Sequence, residues 1–77
     1  MRILFDQGTP VPLRNYLSHY QAVTVFELGW DTLNNGDLLK QAEEAGIEVL
    51  LTTDQNLKYQ QNLAGRTIAI VVLSTTS

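Results

Sequence analysis

The chain has no cysteine, one histidine (His19), two prolines and only five lysines and arginines. Without cysteine there is neither a disulfide nor a thiolate metal centre. Five cations against eight acids leave a formal charge of −3, and no basic stripe stands out along the chain. A protein that held nucleic acid by neutralising phosphates with Lys and Arg would need more of them. Contact with nucleic acid therefore requires help from a bound metal or a second chain. No apolar run approaches the roughly 18 residues of a membrane span. The opening Met1-Arg2-Ile3-Leu4-Phe5-Asp6 is too short and too soon interrupted for a signal peptide. The expectation is a cytoplasmic protein with no membrane partner.

What is present fits one small folded domain covering residues 1–77, with 44% hydrophobic and 17% charged residues. A domain of this size buries only about 60–65% of its unfolded surface, so its stability margin is thin.

Apolar patterning predicts an alternation of strands and helices. Residues 2–5 read as a short buried strand. Thr9 and Pro10 then open a helix whose Leu13, Tyr16, Leu17 and Tyr20 share one face. A second strand covers residues 22–26. Asn34 or Asn35 caps a helix with Leu38, Leu39, Ala42 and Ala45 as its buried stripe, and Gly46 ends it. Residues 47–52 form a third strand, Asp54 caps a short polar helix through about Asn62, and residues 67–73 form a fourth strand. This β-α-β-α-β-α-β order argues for an α/β fold with a four-stranded parallel sheet and right-handed crossovers. Placing the first strand centrally gives the order 2-1-3-4, with helices on both faces and a crevice at the carboxyl ends of strands one and three.

Four acids fall at that rim: Asp6, Glu27, Asp37 and Asp54. Each has an ordinary reading alone. Asp54 suits an N-cap, Asp37 a first helical turn, and Glu27 a solvated loop; Asp6 ends a strand with no helix immediately after it to cap. Together they read as a carboxylate cluster, and four such charges about 6 Å apart repel pairwise by roughly 3 kcal/mol at an effective dielectric near 20. The cluster thus calls for a cation, and oxygen ligands alone point to Mg²⁺ or Mn²⁺. Trp30 reads as a cover for the sheet rim or as a stacking surface for a base.

The segments Ile3-Leu4-Phe5-Asp6-Gln7-Gly8-Thr9-Pro10, Phe26-Glu27-Leu28-Gly29-Trp30, Asn35-Gly36-Asp37-Leu38-Leu39 and Leu51-Thr52-Thr53-Asp54-Gln55-Asn56-Leu57 resemble the short PIN-like domains described as toxin nucleases. The resemblance implies a three-layer α/β/α sandwich and a Mg²⁺- or Mn²⁺-dependent ribonuclease paired with a small antitoxin protein. By position, Asp6, Asp37 and Asp54 are the implied metal ligands. Glu27 joins them as a fourth catalytic acid, and Thr52 and Asn56 support the site. Two rivals stand beside this reading: an inactive PIN-like module for dimerisation or antitoxin binding, and a phosphoacceptor receiver domain.

One topological expectation is independent of family. Right-handed crossovers put only the first helix on one face, although residues 68–73 are apolar at every position. Strands three and four should then present a bare face, through which two copies pair as a homodimer.

Overall fold

The computed structural model describes residues 1–17, 19–57 and 66–74. Four strands form one all-parallel sheet: β1 (Arg2–Phe5), β2 (Gln21–Thr24), β3 (Val49–Thr52) and β4 (Ala69–Val72). Their order is β2-β1-β3-β4, as the alternation of elements predicts. In register, Leu4 lies between Val23 and Leu50, and Leu50 is partnered on its far side by Ile70.

Side chains alternate across a pleated sheet, and here the alternation sorts the core into two clusters. Leu4 and Leu50 point to the face covered by α1 (Asn35–Glu44), where they meet Leu38, Leu39, Ala42, Leu57 and Ile68. Ile3, Phe5 and Leu51 point to the opposite face, where Leu13 and Leu17 pack on them. Full burial of a Leu or Phe stabilises by about 1.5–3 kcal/mol. Leu4, Phe5, Leu39 and Leu50, each at most 1% exposed, anchor the fold.

The helix α1 follows its sequence signals closely. Asn34 caps it by accepting from the Asp37 N–H at 2.8 Å. At its other end Gly46, with φ +78°, donates to the Glu43 carbonyl, and Ile47 donates back to Ala42. This pair of bonds is the Schellman arrangement, for which glycine is the favoured residue. The Arg2 guanidinium bonds the Ala45 carbonyl and so ties the start of β1 to the helix end.

Four local expectations are corrected. Residues Val11–Leu17 form a 3₁₀ segment, not an α-helix. Pro12 brings no N–H to an i→i−4 ladder, and Leu13 bonds the Pro10 carbonyl in i→i−3 fashion. The tighter winding leaves Leu13 and Leu17 on the sheet but turns Tyr16 out, 83% exposed. Thr9, predicted as a helix cap, is instead buried and donates its hydroxyl to the Leu51 carbonyl at 3.1 Å.

The second strand stops at Thr24, short of the expected Phe26. There the Glu27 carboxylate accepts from the Thr24 N–H at 3.0 Å, while the Thr24 hydroxyl accepts from the Glu27 N–H at 3.1 Å. That reciprocal pair turns the chain and leaves Phe26 exposed. At β4, Ile68 is buried, but Ala69 and Val71 are exposed and Ile70 and Val72 half-buried. Burial on both faces thus fails for this strand, which lies at the sheet edge. Its neighbour β3 is better covered, with Leu51 buried and Val49 half-buried. The polar helix expected from Asp54 through about Asn62 falls largely on residues 58–62, outside the described residues.

Candidate functional site

A cleft of about 330 Å³ opens at the carboxyl end of the central strands. Its acidic members are Asp6, Asp31 and Asp54. Asp6 follows β1, and Asp54 lies two residues beyond β3. Because β1 and β3 are paired neighbours, their exits deliver the two acids side by side in topology.

Thr52 fastens both. Its fully buried hydroxyl donates to Asp6 Oδ2 at 2.8 Å and accepts from the Asp54 N–H at 3.0 Å. A side chain with one donor and spare lone pairs is thereby shared between the two strand exits. Asp6 Oδ1 accepts from the Gln7 N–H, and Asp54 Oδ1 from the Asn56 N–H at 2.9 Å. Both carboxylates are held in place and still present lone pairs to the cleft. Asn56 acts on Asp54 through its backbone, within a turn closed by Leu57 N–H on the Asp54 carbonyl.

The opposite wall is the loop after β2. Trp30 is half-buried against the core cluster and held by its backbone N–H on the Val25 carbonyl at 2.8 Å. Gln7 reaches across the cleft mouth and donates to the Asp31 carbonyl, joining the two walls. Asp31 was missed by reading the sequence because it follows no strand and opens no helix. Its one signal was adjacency to Trp30 in a loop entering the same rim.

Glu27 and Asp37 lie outside the set of residues lining the cleft. Glu27 pairs with Arg14 and with the Thr24 backbone. The Thr24 N–H foremost, then Arg14, hold its carboxyl below the ordinary 4.5. Asp37 accepts from the Asn34 side chain at 3.2 Å while its own N–H meets the cap, so it serves the start of α1. Among the described residues no three acidic, histidine or cysteine side chains come together in a group able to hold a metal ion. A second ionic bracket lies on the other side of the molecule. Glu43 accepts from Arg66 at 2.6 Å and from both the N–H and hydroxyl of Thr67, joining α1 to the entry of β4.

The donor set at the cleft is hard oxygen from two fastened carboxylates. Mg²⁺ is commonly held by one or two carboxylates with waters and substrate phosphate completing an octahedron. Asp6 and Asp54 fit that demand; a fully protein-ligated cation would need more. No helix among the described residues is long and apolar enough to cross a membrane. No family model, curated protein or solved structure matches the chain.

Proposed function

We propose that this chain is a PIN-like, Mg²⁺- or Mn²⁺-dependent ribonuclease, the toxin member of a toxin–antitoxin pair, with Asp6 and Asp54 as the cation-holding acids. One observation carries the reading: two acids from adjacent strand exits line one cleft, and the single hydroxyl of Thr52 bonds both the carboxylate of Asp6 and the backbone N–H of Asp54. When bound, the cation supplies charge neutralisation at the phosphodiester and a more acidic water. The protein's own work is to hold two acids at fixed positions and to offer a pocket beside them. Asp37 and Glu27 are left out of the proposed ligand set because their carboxylates are committed to the start of α1 and to Arg14.

The absence of a three-acid group among the described residues favours one alternative, a PIN-like module that binds an antitoxin or a second copy without cleaving RNA. The two readings separate in one experiment. Purified protein is incubated with single-stranded RNA and Mn²⁺, alongside Asp6→Asn. Cation-dependent cleavage lost in the variant supports the nuclease. No cleavage by the parent protein, combined with tight partner binding, supports the module.

Thermal melts give a check that needs no substrate. A cation at a hundredfold excess over its Kd stabilises the folded state by about 2.7 kcal/mol. Asp6→Asn keeps an acceptor for Thr52 but should abolish this gain. Identical midpoints with and without Mg²⁺ or Mn²⁺ in the parent protein would count against the cation site.

A further inference from the structure

The cleft holds a second chemistry beside its fastened acids. Trp30, the only tryptophan in the chain, lines it and is only half-buried. Among the described residues no group accepts from the indole N–H. The next residue, Asp31, is exposed and lines the same cleft, and no side-chain or backbone donor among the described residues meets its carboxylate. Its position is nevertheless set, because Gln7 donates to its carbonyl and Leu33 donates to that of Trp30 at 3.1 Å. An aromatic plane, backed by the core, thus stands next to a free acceptor pair on a loop pinned at both walls.

We infer that Trp30 and Asp31 form a base-recognition subsite, taking a nucleobase that carries an exocyclic amine, with the ring stacked on the indole and the amine donated to the Asp31 carboxylate. Single-stranded nucleic acids are bound largely by stacking bases on aromatic side chains and by hydrogen bonds to their Watson–Crick edges. A carboxylate is acceptor-only at neutral pH, so it selects for amine donors. Guanine, adenine and cytosine carry such an amine; uracil presents a carbonyl in its place, and its single N3–H is flanked by two carbonyl oxygens that repel the carboxylate, so uracil is disfavoured. The subsite rests on the ribonuclease reading only in assigning RNA as the polymer that brings the base.

The single tryptophan makes the test direct. Neutral nucleosides are titrated into the intact protein without divalent cations, and Trp30 fluorescence is followed against a free tryptophan amide control. Neutral ligands avoid the phosphate repulsion expected from Asp6 and Asp54, and omitting metal separates this experiment from cleavage. Saturable quenching by guanosine, adenosine or cytidine, with uridine about tenfold weaker, is the expected result. Asp31→Ala should retain quenching but bring uridine level with the others. Absence of saturable quenching with every nucleoside overturns the subsite, as does equal binding of uridine by the parent protein or an unchanged preference in Asp31→Ala. Nucleoside binding by a protein that cleaves no RNA would uphold the subsite while removing the nuclease reading.

Discussion

Thr52→Val is the sharpest probe of how the cleft is built, because valine keeps the shape and strand preference of threonine and removes only the hydroxyl. Two interactions go at once. The bond to Asp6 Oδ2 at 2.8 Å is charge-assisted, and such bonds contribute about 1.5–3 kcal/mol. The Asp54 N–H loses its acceptor, and an unmet buried donor costs about 1–3 kcal/mol. Asp54 is only half-buried, so water recovers part of the second loss. The expected net effect is a destabilisation of about 2–3 kcal/mol. That is a large share of the roughly 4–12 kcal/mol available to a chain of this length. The melting midpoint should fall by about 10–20 °C. Urea and thermal melts of the parent, Thr52→Val and Thr52→Ser measure the two shifts, with the serine variant expected near the parent. A double-mutant cycle with Asp6→Ala should return a coupling above about 1 kcal/mol. A Thr52→Val protein within about 0.5 kcal/mol of the parent, or a serine variant as weak as the valine one, would refute the shared-hydroxyl account.

Three further outcomes are expected. Gly8 has φ +84° and a Cβ there would lie 3.0 Å from the Thr53 hydroxyl, so Gly8→Ala should destabilise by about 1–2 kcal/mol in urea melts; a neutral result would show that the turn relaxes freely. Glu27, through the Thr24 N–H and then Arg14, and Glu43, through the Thr67 N–H and then Arg66, both titrate below the ordinary 4.5. Their folded forms take up protons less readily than the unfolded chain, so their stabilisation is full above 4.5 and is lost as pH falls through the lowered values. A Glu27→Gln, Glu43→Gln double variant should therefore melt lower than the parent at neutral pH and lose less on acidification; parallel pH profiles would exclude this. The exposed Val71 on the edge strand is proposed as part of a homodimer contact, for which light scattering at micromolar concentration should report twice 8.6 kDa for the parent and 8.6 kDa for Val71→Glu. A parent mass of 8.6 kDa would rule it out.

The parts of this protein legible in its sequence are those fixed by short-range periodicity and end signals. β1, α1 with its Asn34 cap and Gly46 terminus, and the 2-1-3-4 order all follow from alternating apolar runs and the connection rules for parallel sheets. Asp6 and Asp54 were legible as cleft residues because each lies just past a strand exit. Glu27 and Asp37 read like their equals, yet side-chain partners decide their fate. Arg14 lies 13 residues from Glu27, and no periodic pattern announces such a pairing. The 3₁₀ winding of Val11–Leu17 was obscured by an apolar spacing that suits an α-helix, while the cost of Pro12 acts on the backbone and leaves no mark in the apolar pattern.

The central position of β1 also sets an order of events during synthesis. Of the four strands it leaves the ribosome first, and β2 soon supplies one neighbour. Its other edge must wait for β3, whose last residue comes 47 positions after Phe5. At about 5–20 residues per second, that interval is about 2–9 s. Throughout it the nascent chain carries Ile3, Leu4 and Phe5 on an open strand edge, the feature most prone to pairing with a foreign chain. Translation speed between Phe5 and Thr52 should therefore govern how much of this protein reaches its native state in a cell.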